Sequence, residues 1–485
     1  MISPALDEAK RLAEGKTVIP ISLEMFSDVK TPIEILRNIR QHSENWYILE
    51  SVNGSDGWGR YSFLGYEPSV TVSGTSGIVT VKSGRSKEML IRDPVALFRE
   101  MLDGYKSPRI PYLPPFTGGL VGYFSYDFAQ HFIHGLKLNA ADDEGFMDFS
   151  LMLIDKVIAF DHFRQKIYLI VNVSAKDIER SYIRGVEALK DMERLVLQAS
   201  AQAEPPSGCG EFTASFSEEK FASMVDTVKR HIYEGDIFQA VISNRFTAPF
   251  SGDLLQTYRL LRTTNPSPYM VYMRIDDVEI ACASPETLVS LRDGEVTSFP
   301  LAGTCPRGKT AEEDRAFEKE MMSDEKELAE HDMLVDLARN DIGKVCQFGS
   351  VKVSEYREIK RFSHVSHISS RVAGELREGL DALDVIAAAL PAGTLSGAPK
   401  KRACEIIDEV EGIKRGVYGG CMGYIDFAGN MDMCITIRMA VLKNGKVFVQ
   451  SGAGIVAESV PEKEYRETQN KAGAVMDALK NSGEV

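Results

Sequence analysis

The sequence predicts an α+β fold in which large, mainly antiparallel sheets pack as a sandwich with helices outside. Three observations predict it. Short segments rich in branched and aromatic residues, bounded by turn residues, recur along the 485 residues as strands do. Longer segments between them carry apolar residues at helical spacing. The two kinds alternate without the regular βαβ rhythm that a parallel sheet requires.

Residues 5–45 read as two amphipathic helices around a strand. The second opens on Pro32 and carries Ile33, Leu36 and Ile39 on one side. Strands are predicted at 46–51, at 61–65 beyond a Gly-rich turn, and at 70–73, 78–81, 120–124, 151–154 and 167–171. A helix over 176–199 then runs into 202–210, which is polar, rich in Pro and Gly, and reads as a linker. It divides the chain into an N-terminal part, 1–205, interleaved with the rest, and a second part, 206–485. After it, Ser217 caps a helix whose Phe221, Met224, Val225, Val228 and Ile232 form one apolar stripe, and Gly235 ends it. Strands follow at 237–246, 270–273, 279–283, 433–438 and 446–450, with long helices over 311–341, 381–389, 399–410 and 462–480.

Composition narrows the function. A chain this long holds two or three ordinary domains, or one large interleaved one. Hydrophobic content of 44% and charged content of 26% are those of a soluble globular protein. A net charge of -14 argues against a nucleic-acid partner, which needs a basic footprint, so an anionic ligand must find a local cluster of Arg or Lys. The seven cysteines are odd in number and include no Cys-x-x-Cys, as expected of reduced thiols in the cytoplasm. The N-terminus lacks an apolar signal core and no run reaches membrane-spanning length, so a cytoplasmic protein without a membrane partner is expected.

Two acidic helices stand out. Glu327 and Glu330 lie three apart on one helix face, and Glu464 and Glu467 repeat that spacing near the C-terminus. Brought together, such carboxylates repel, by about 4 kcal/mol per pair at 4 Å and an effective dielectric near 20. A hard divalent cation with oxygen ligands removes that cost. Spacing alone favours two solvated helix faces, and the neighbouring motifs decide.

Those motifs are Ser284-Pro285-Glu286, Phe299-Pro300-Leu301-Ala302-Gly303-Thr304, the acidic helix itself, and Arg361-Phe362-Ser363-His364-Val365-Ser366-His367. Gly393-Thr394-Leu395-Ser396-Gly397-Ala398-Pro399-Lys400, Tyr418-Gly419-Gly420, Gln450-Ser451-Gly452-Ala453-Gly454-Ile455 and Glu467-Thr468-Gln469-Asn470-Lys471 follow in turn. In this order they resemble the chorismate-utilising enzymes, which include anthranilate, aminodeoxychorismate, isochorismate and salicylate synthases. The resemblance is dense over 212–480, looser before it, and strongest to the large, ammonia-using subunit of the anthranilate synthases.

The resemblance implies a Mg²⁺ ion held by Glu330 and Glu467, with Glu327 and Glu464 as supporting acids, on the ring carboxylate of chorismate. Arg438 then clamps the enolpyruvyl carboxylate, as planar guanidinium does well, and Tyr418 donates to the same group. Lys471 lies near the metal-bound carboxylate. Gly303 and Thr304 line the substrate, and Gly452 and Gly454 bring backbone N–H groups close to an anion. Glu286 matches the acid that protonates the departing 4-hydroxyl, and His367 best matches the base for pyruvate elimination; His364 reads as structural.

Two positions choose among siblings. Family members that add water carry a lysine where this chain has Gln239, and aminodeoxychorismate synthases carry one at the position of Ala302. Both replacements point to amination and aromatisation: chorismate and ammonia to anthranilate and pyruvate, a step of tryptophan biosynthesis. Leu301, where Ile is usual, and Cys305 depart from the pattern without touching chemistry. The alternative is component I of aminodeoxychorismate synthase.

No nucleophilic Cys sits in a Gly-x-Cys-x-Gly setting with a following His and Glu, so a separate glutamine amidotransferase subunit is expected to deliver the ammonia. The N-terminal part resembles the family's regulatory half. Leu49, Glu50 and Ser51, with Pro268, Tyr269 and Met270, match the stretches that bind feedback tryptophan. Met422, Tyr424 and Cys434 complete an apolar slot for the indole, and Ser51 and Glu50 meet the amino acid's polar end.

Overall fold

The structure, a computed structural model, describes residues 2–51, 59–199, 207–361 and 365–484. Strands from before and after residue 205 share the same sheets, each part of the chain contributing one contiguous block of strands to each sheet. Among the described residues one sheet has 14 strands. Its centre joins Trp46–Glu50 to Tyr269–Ile275, with Glu50 opposite Met270. The other sheet has 12 strands and joins Gly119–Phe124 to Cys421–Asp426. Pairing between the named strands is antiparallel at both joints. The chain boundary expected at 205 falls within 200–206, outside the described residues.

The sheets face each other across one apolar core. Leu49, Phe63 and Val271 of the first meet Leu120, Met422 and Tyr424 of the second, all buried. The edge of the Phe63 ring meets Tyr424 with centroids 6.2 Å apart. A second core lies on the outer face of the first sheet, where Trp46, Ile48 and Tyr272 pack against helices that contribute Ile35, Leu36, Leu189 and Tyr258. This strand alternation, odd residues inward and even residues outward, matters for the slot described below.

Most expected elements form: helices Leu6–Leu12, Pro32–His42, Ile178–Leu197, Glu218–Tyr233, Ala382–Ala389, Lys400–Glu411 and Pro461–Lys480. Two expectations are corrected. The single helix over 311–341 is two, Ala311–Met321 and Glu325–Gly343, because the Asp324 side chain accepts hydrogen bonds from the N–H groups of Lys326 and Glu327 and starts a new helix. The strand over 433–438 ends at Ile435, and Arg438 beyond it has φ +53°, a left-handed conformation costly for any residue with a side chain. No helix among the described residues is long and apolar enough to cross a membrane.

Candidate active site

The strands Gln239–Ser251 and Lys446–Ile455 form the floor of the site, with Val241 opposite Gly454 and Ser243 opposite Gly452. A Cβ on Gly452 would lie 2.8 Å from the Ile242 carbonyl oxygen and 3.0 Å from the Tyr418 hydroxyl, so only glycine lets Tyr418 close over this strand. A Cβ on Gly454 would meet nothing within 4 Å, which leaves its backbone approachable from the open side. Gln239 begins the first strand, buried, opposite Ala398.

Arg438 and Lys471 gather the other groups. The Arg438 guanidinium donates to the Lys471 carbonyl oxygen. Burial lowers its pKa, while Tyr418 and Glu467 favour its charge. The Lys471 ammonium donates to the Gly452 carbonyl oxygen at 3.1 Å and pairs with Glu467 at 2.5 Å. Its charge also acts on Glu286. Groups from five distant segments therefore share one cleft.

Glu286 keeps some surface open to the cleft, yet the surrounding protein desolvates its carboxyl and pushes the pKa up to about 7. A hydrogen bond at 3.0 Å from the Thr394 hydroxyl and the charge of Lys471 pull the other way. Thr394 lies in a motif singled out from sequence, but nothing in its type or spacing announced this bond.

His367 Nδ1 lies 2.9 Å from the Gly303 carbonyl oxygen and 3.0 Å from the Thr304 hydroxyl. A carbonyl only accepts, so Nδ1 carries the proton and Nε2 the lone pair. Burial lowers the pKa of the ring, the hydrogen bond to Gly303 opposes that, and the charge of Arg438 adds to the lowering, so the neutral form is favoured. Gly303, at φ +63°, bulges the strand Leu301–Pro306 against His367 and Ile368. His364 lies outside the described residues.

Glu327 and Glu464 sit in the first turns of Glu325–Gly343 and Pro461–Lys480, where helix dipoles favour negative charge, and Glu330 and Glu467 follow in the second turns. Burial raises the pKa of Glu327, and Glu330 and Asp324 raise it further. Burial also raises that of Glu464, with Glu467 adding to it, while Ser459, Lys471 and Lys326 oppose. Lys326 belongs to the other acidic helix, so the two helix starts feel each other's charge. The four carboxylates do not converge on a point. Among the described residues, the one set of three or more His, Cys, Asp or Glu ligand atoms within 4.8 Å is His231, Glu234 and Asp236. All four offer carboxylate oxygens, and Glu327 and Glu464 each feel the charge of their helix neighbour, a donor type that suits a hard cation such as Mg²⁺.

The expected effector residues divide. Met422 pairs with Cys434, and Tyr424 with Asp432, so all four project from one face of the second sheet. Tyr269 meets them, its hydroxyl 3.0 Å from Asp432 and 2.8 Å from Thr287. Leu49 is buried in the same core, and the Ser51 hydroxyl is buried without a partner among the described residues. Pro268 directly precedes the strand that carries Tyr269. Glu50 and Met270 face the other way. The Glu50 carboxylate accepts from Tyr258 at 2.6 Å and Ser62 at 3.2 Å and pairs with Arg262 at 2.9 Å. Met270 packs in the outer core. The side chain of Glu50 is thus corrected from a slot-lining group to an anchor behind the strand.

Comparisons with known proteins agree with this geometry. The family model described as chorismate binding enzyme matches residues 55–477. The protein is 44% identical over 496 residues to anthranilate synthase component 1 of Acetivibrio thermocellus, covering all of both chains. It is 43% identical to the protein of that name from Aquifex aeolicus, covering 98% of this chain and 97% of the other. Among solved structures, anthranilate synthase component I from Streptococcus pneumoniae superposes with a TM-score of 0.77 at 37% identity, over 93% of this chain and 98% of that one. The menaquinone-specific isochorismate synthase of Escherichia coli shares the fold, with a TM-score of 0.70 at 16% identity, over 98% and 99%. A family match across most of the sequence, and full-length relatives at this identity, make the chain a member of the chorismate-binding enzyme family.

Proposed function

We propose that the protein is the ammonia-using large subunit of an anthranilate synthase, which converts chorismate and ammonia to anthranilate and pyruvate. The observation that carries the proposal is Glu286, a carboxyl whose pKa burial raises to about 7 in the cleft that Arg438, Tyr418 and Lys471 enclose. An acid so placed protonates a departing hydroxyl. The names of the full-length relatives support the same reading.

Arg438 and Tyr418 hold the enolpyruvyl carboxylate, and the backbone at Gly452 and Gly454 borders it. Glu286 gives its proton to the 4-hydroxyl, which leaves as water while ammonia bonds to the ring. Gln239, a neutral amide, orients ammonia without needing to activate it. His367 takes the ring proton through Nε2 as pyruvate departs and the ring becomes aromatic. Glu330 and Glu467 would hold Mg²⁺, with Glu327 and Glu464 as supporting acids, and the ion would supply a Lewis acid for the ring carboxylate.

The reading includes a cytoplasmic protein, a separate amidotransferase subunit as ammonia source, and tryptophan as feedback inhibitor in the slot of Leu49, Ser51, Tyr269, Met422, Tyr424 and Cys434. Purified protein given chorismate, ammonium and Mg²⁺ is expected to release fluorescent anthranilate with one pyruvate per turnover. A non-aromatic aminated product that retains pyruvate would assign it instead to aminodeoxychorismate synthesis.

A further inference from the structure

We infer that Arg415, buried behind the cleft, is a positioning residue that holds Tyr418 and the Thr394 loop in working register; this rests on the function proposed above. Its side chain is 2% exposed. One Nη2 proton goes to the Val241 carbonyl oxygen at 2.6 Å, and Nη1 donates to that of Leu395 at 2.7 Å. Nε and Nη2 hold the two oxygens of Glu411 at 2.9 and 2.6 Å. The guanidinium carbon lies over two rings, 4.4 Å from the centroid of Tyr126 and 5.8 Å from that of Tyr418.

Each contact ends beside a group of the site. Leu395 follows Thr394, whose hydroxyl donates to Glu286. Val241 lies opposite Gly454. Tyr418 closes over Gly452. Glu411 balances the charge and also accepts from the N–H and hydroxyl of Ser243 at 2.7 and 2.9 Å, which fixes the same strand. From the other side, Tyr126 donates its N–H to the Gly416 carbonyl oxygen, and Asp127 accepts the Gly416 N–H at 2.9 Å. A planar fork meets three acceptors and two ring faces at once. An ammonium with three tetrahedral donors keeps the charge but cannot reproduce that set.

Arg415→Lys tests this. The variant is expected to melt close to the wild type while kcat falls at least 10-fold. Its alkaline limb is expected to move up in pH, because Thr394 no longer holds the ionised Glu286. The charged groups that bear on Glu286, Lys471 and Asp341 of the adjoining cavity wall, are unchanged by this substitution. If Arg415→Lys does not fold, the pair Glu411→Gln with Arg415→Met leaves no unpaired charge and is expected to give the same kinetic pattern. Either variant folding with wild-type kcat, KM and pH profile would overturn the inference. Isotope-edited infrared titration of Glu286, referenced to Glu286→Gln, reads the effect without turnover. A midpoint that rises in the variant supports the positioning role, and an unmoved midpoint overturns it. Wild-type protein that forms no anthranilate would instead count against the proposed function alone.

Discussion

The Lys471 ammonium lies 2.5 Å from the Glu467 carboxylate and 3.1 Å from the Gly452 carbonyl oxygen. One cation thereby ties the C-terminal acidic helix to the glycine-bearing strand. The next turns of chain are fixed as well, because the Lys471 carbonyl accepts from Arg438. The proposed grip on each end of the substrate is a single unit: loosening the acidic helix also loosens the arginine.

Glu330→Gln and Glu467→Gln are each expected to lower kcat/KM for chorismate at least ~100-fold, the scale of losing a group that orients a metal. Calorimetric titration with Mg²⁺ is expected to show a matching loss of affinity. Wild-type Mg²⁺ dependence in either variant would remove that residue from the ligand set.

Glu286 sets a pH dependence. Its working form is the protonated one, and its pKa is raised to about 7, so kcat/KM should fall as the pH rises through that value. Thr394→Val removes the hydrogen bond that favours the ionised carboxylate, so the alkaline limb should move to higher pH. A limb that stays in place, followed by the pH–rate profile, would assign it to another group.

Glu50 makes its contribution to stability rather than to the slot. With its side chain 5% exposed and tied to Arg262, Tyr258 and Ser62, Glu50→Gln removes the buried half of an ion pair whose Arg262 is 33% exposed. The expected cost is about 1–2 kcal/mol, read by urea unfolding. Unchanged stability would mean that Arg262 finds another acceptor.

Much of this was legible in the sequence where residue type and chemistry coincide. The ordered loops resemble those of the chorismate-utilising enzymes, and that resemblance, rather than spacing, implied one cleft for Glu286, Arg438, Tyr418 and Lys471. What escaped depends on facing and on distant backbone. Glu50 adjoins Ser51 in sequence, yet alternation along Trp46–Glu50 turns it outward beside Met270. Asp324 carries a visible capping signal, with Glu327 at the third helical position, that a uniform run of helix formers obscured. Arg415 bonds carbonyl oxygens 20 and 174 residues away, which no local pattern reports. The edge strand Arg85–Leu90 is exposed and polar, without the alternation that marks a half-buried strand.

Ser51→Phe is expected to abolish inhibition by tryptophan with little change in the uninhibited rate, because the buried hydroxyl is replaced by a ring that fills the slot. Inhibition curves with and without the substitution decide it. Unaltered inhibition would move the effector site elsewhere.

The central claim is that the two acidic helices share one divalent cation over the substrate. The most direct measurement is anomalous diffraction from crystals of the protein grown with Mn²⁺ and anthranilate. One strong peak bridging Glu330 and Glu467 is expected, with Glu327 and Glu464 close behind. Manganese confined to His231, Glu234 and Asp236, with the two helices left apart, would contradict it.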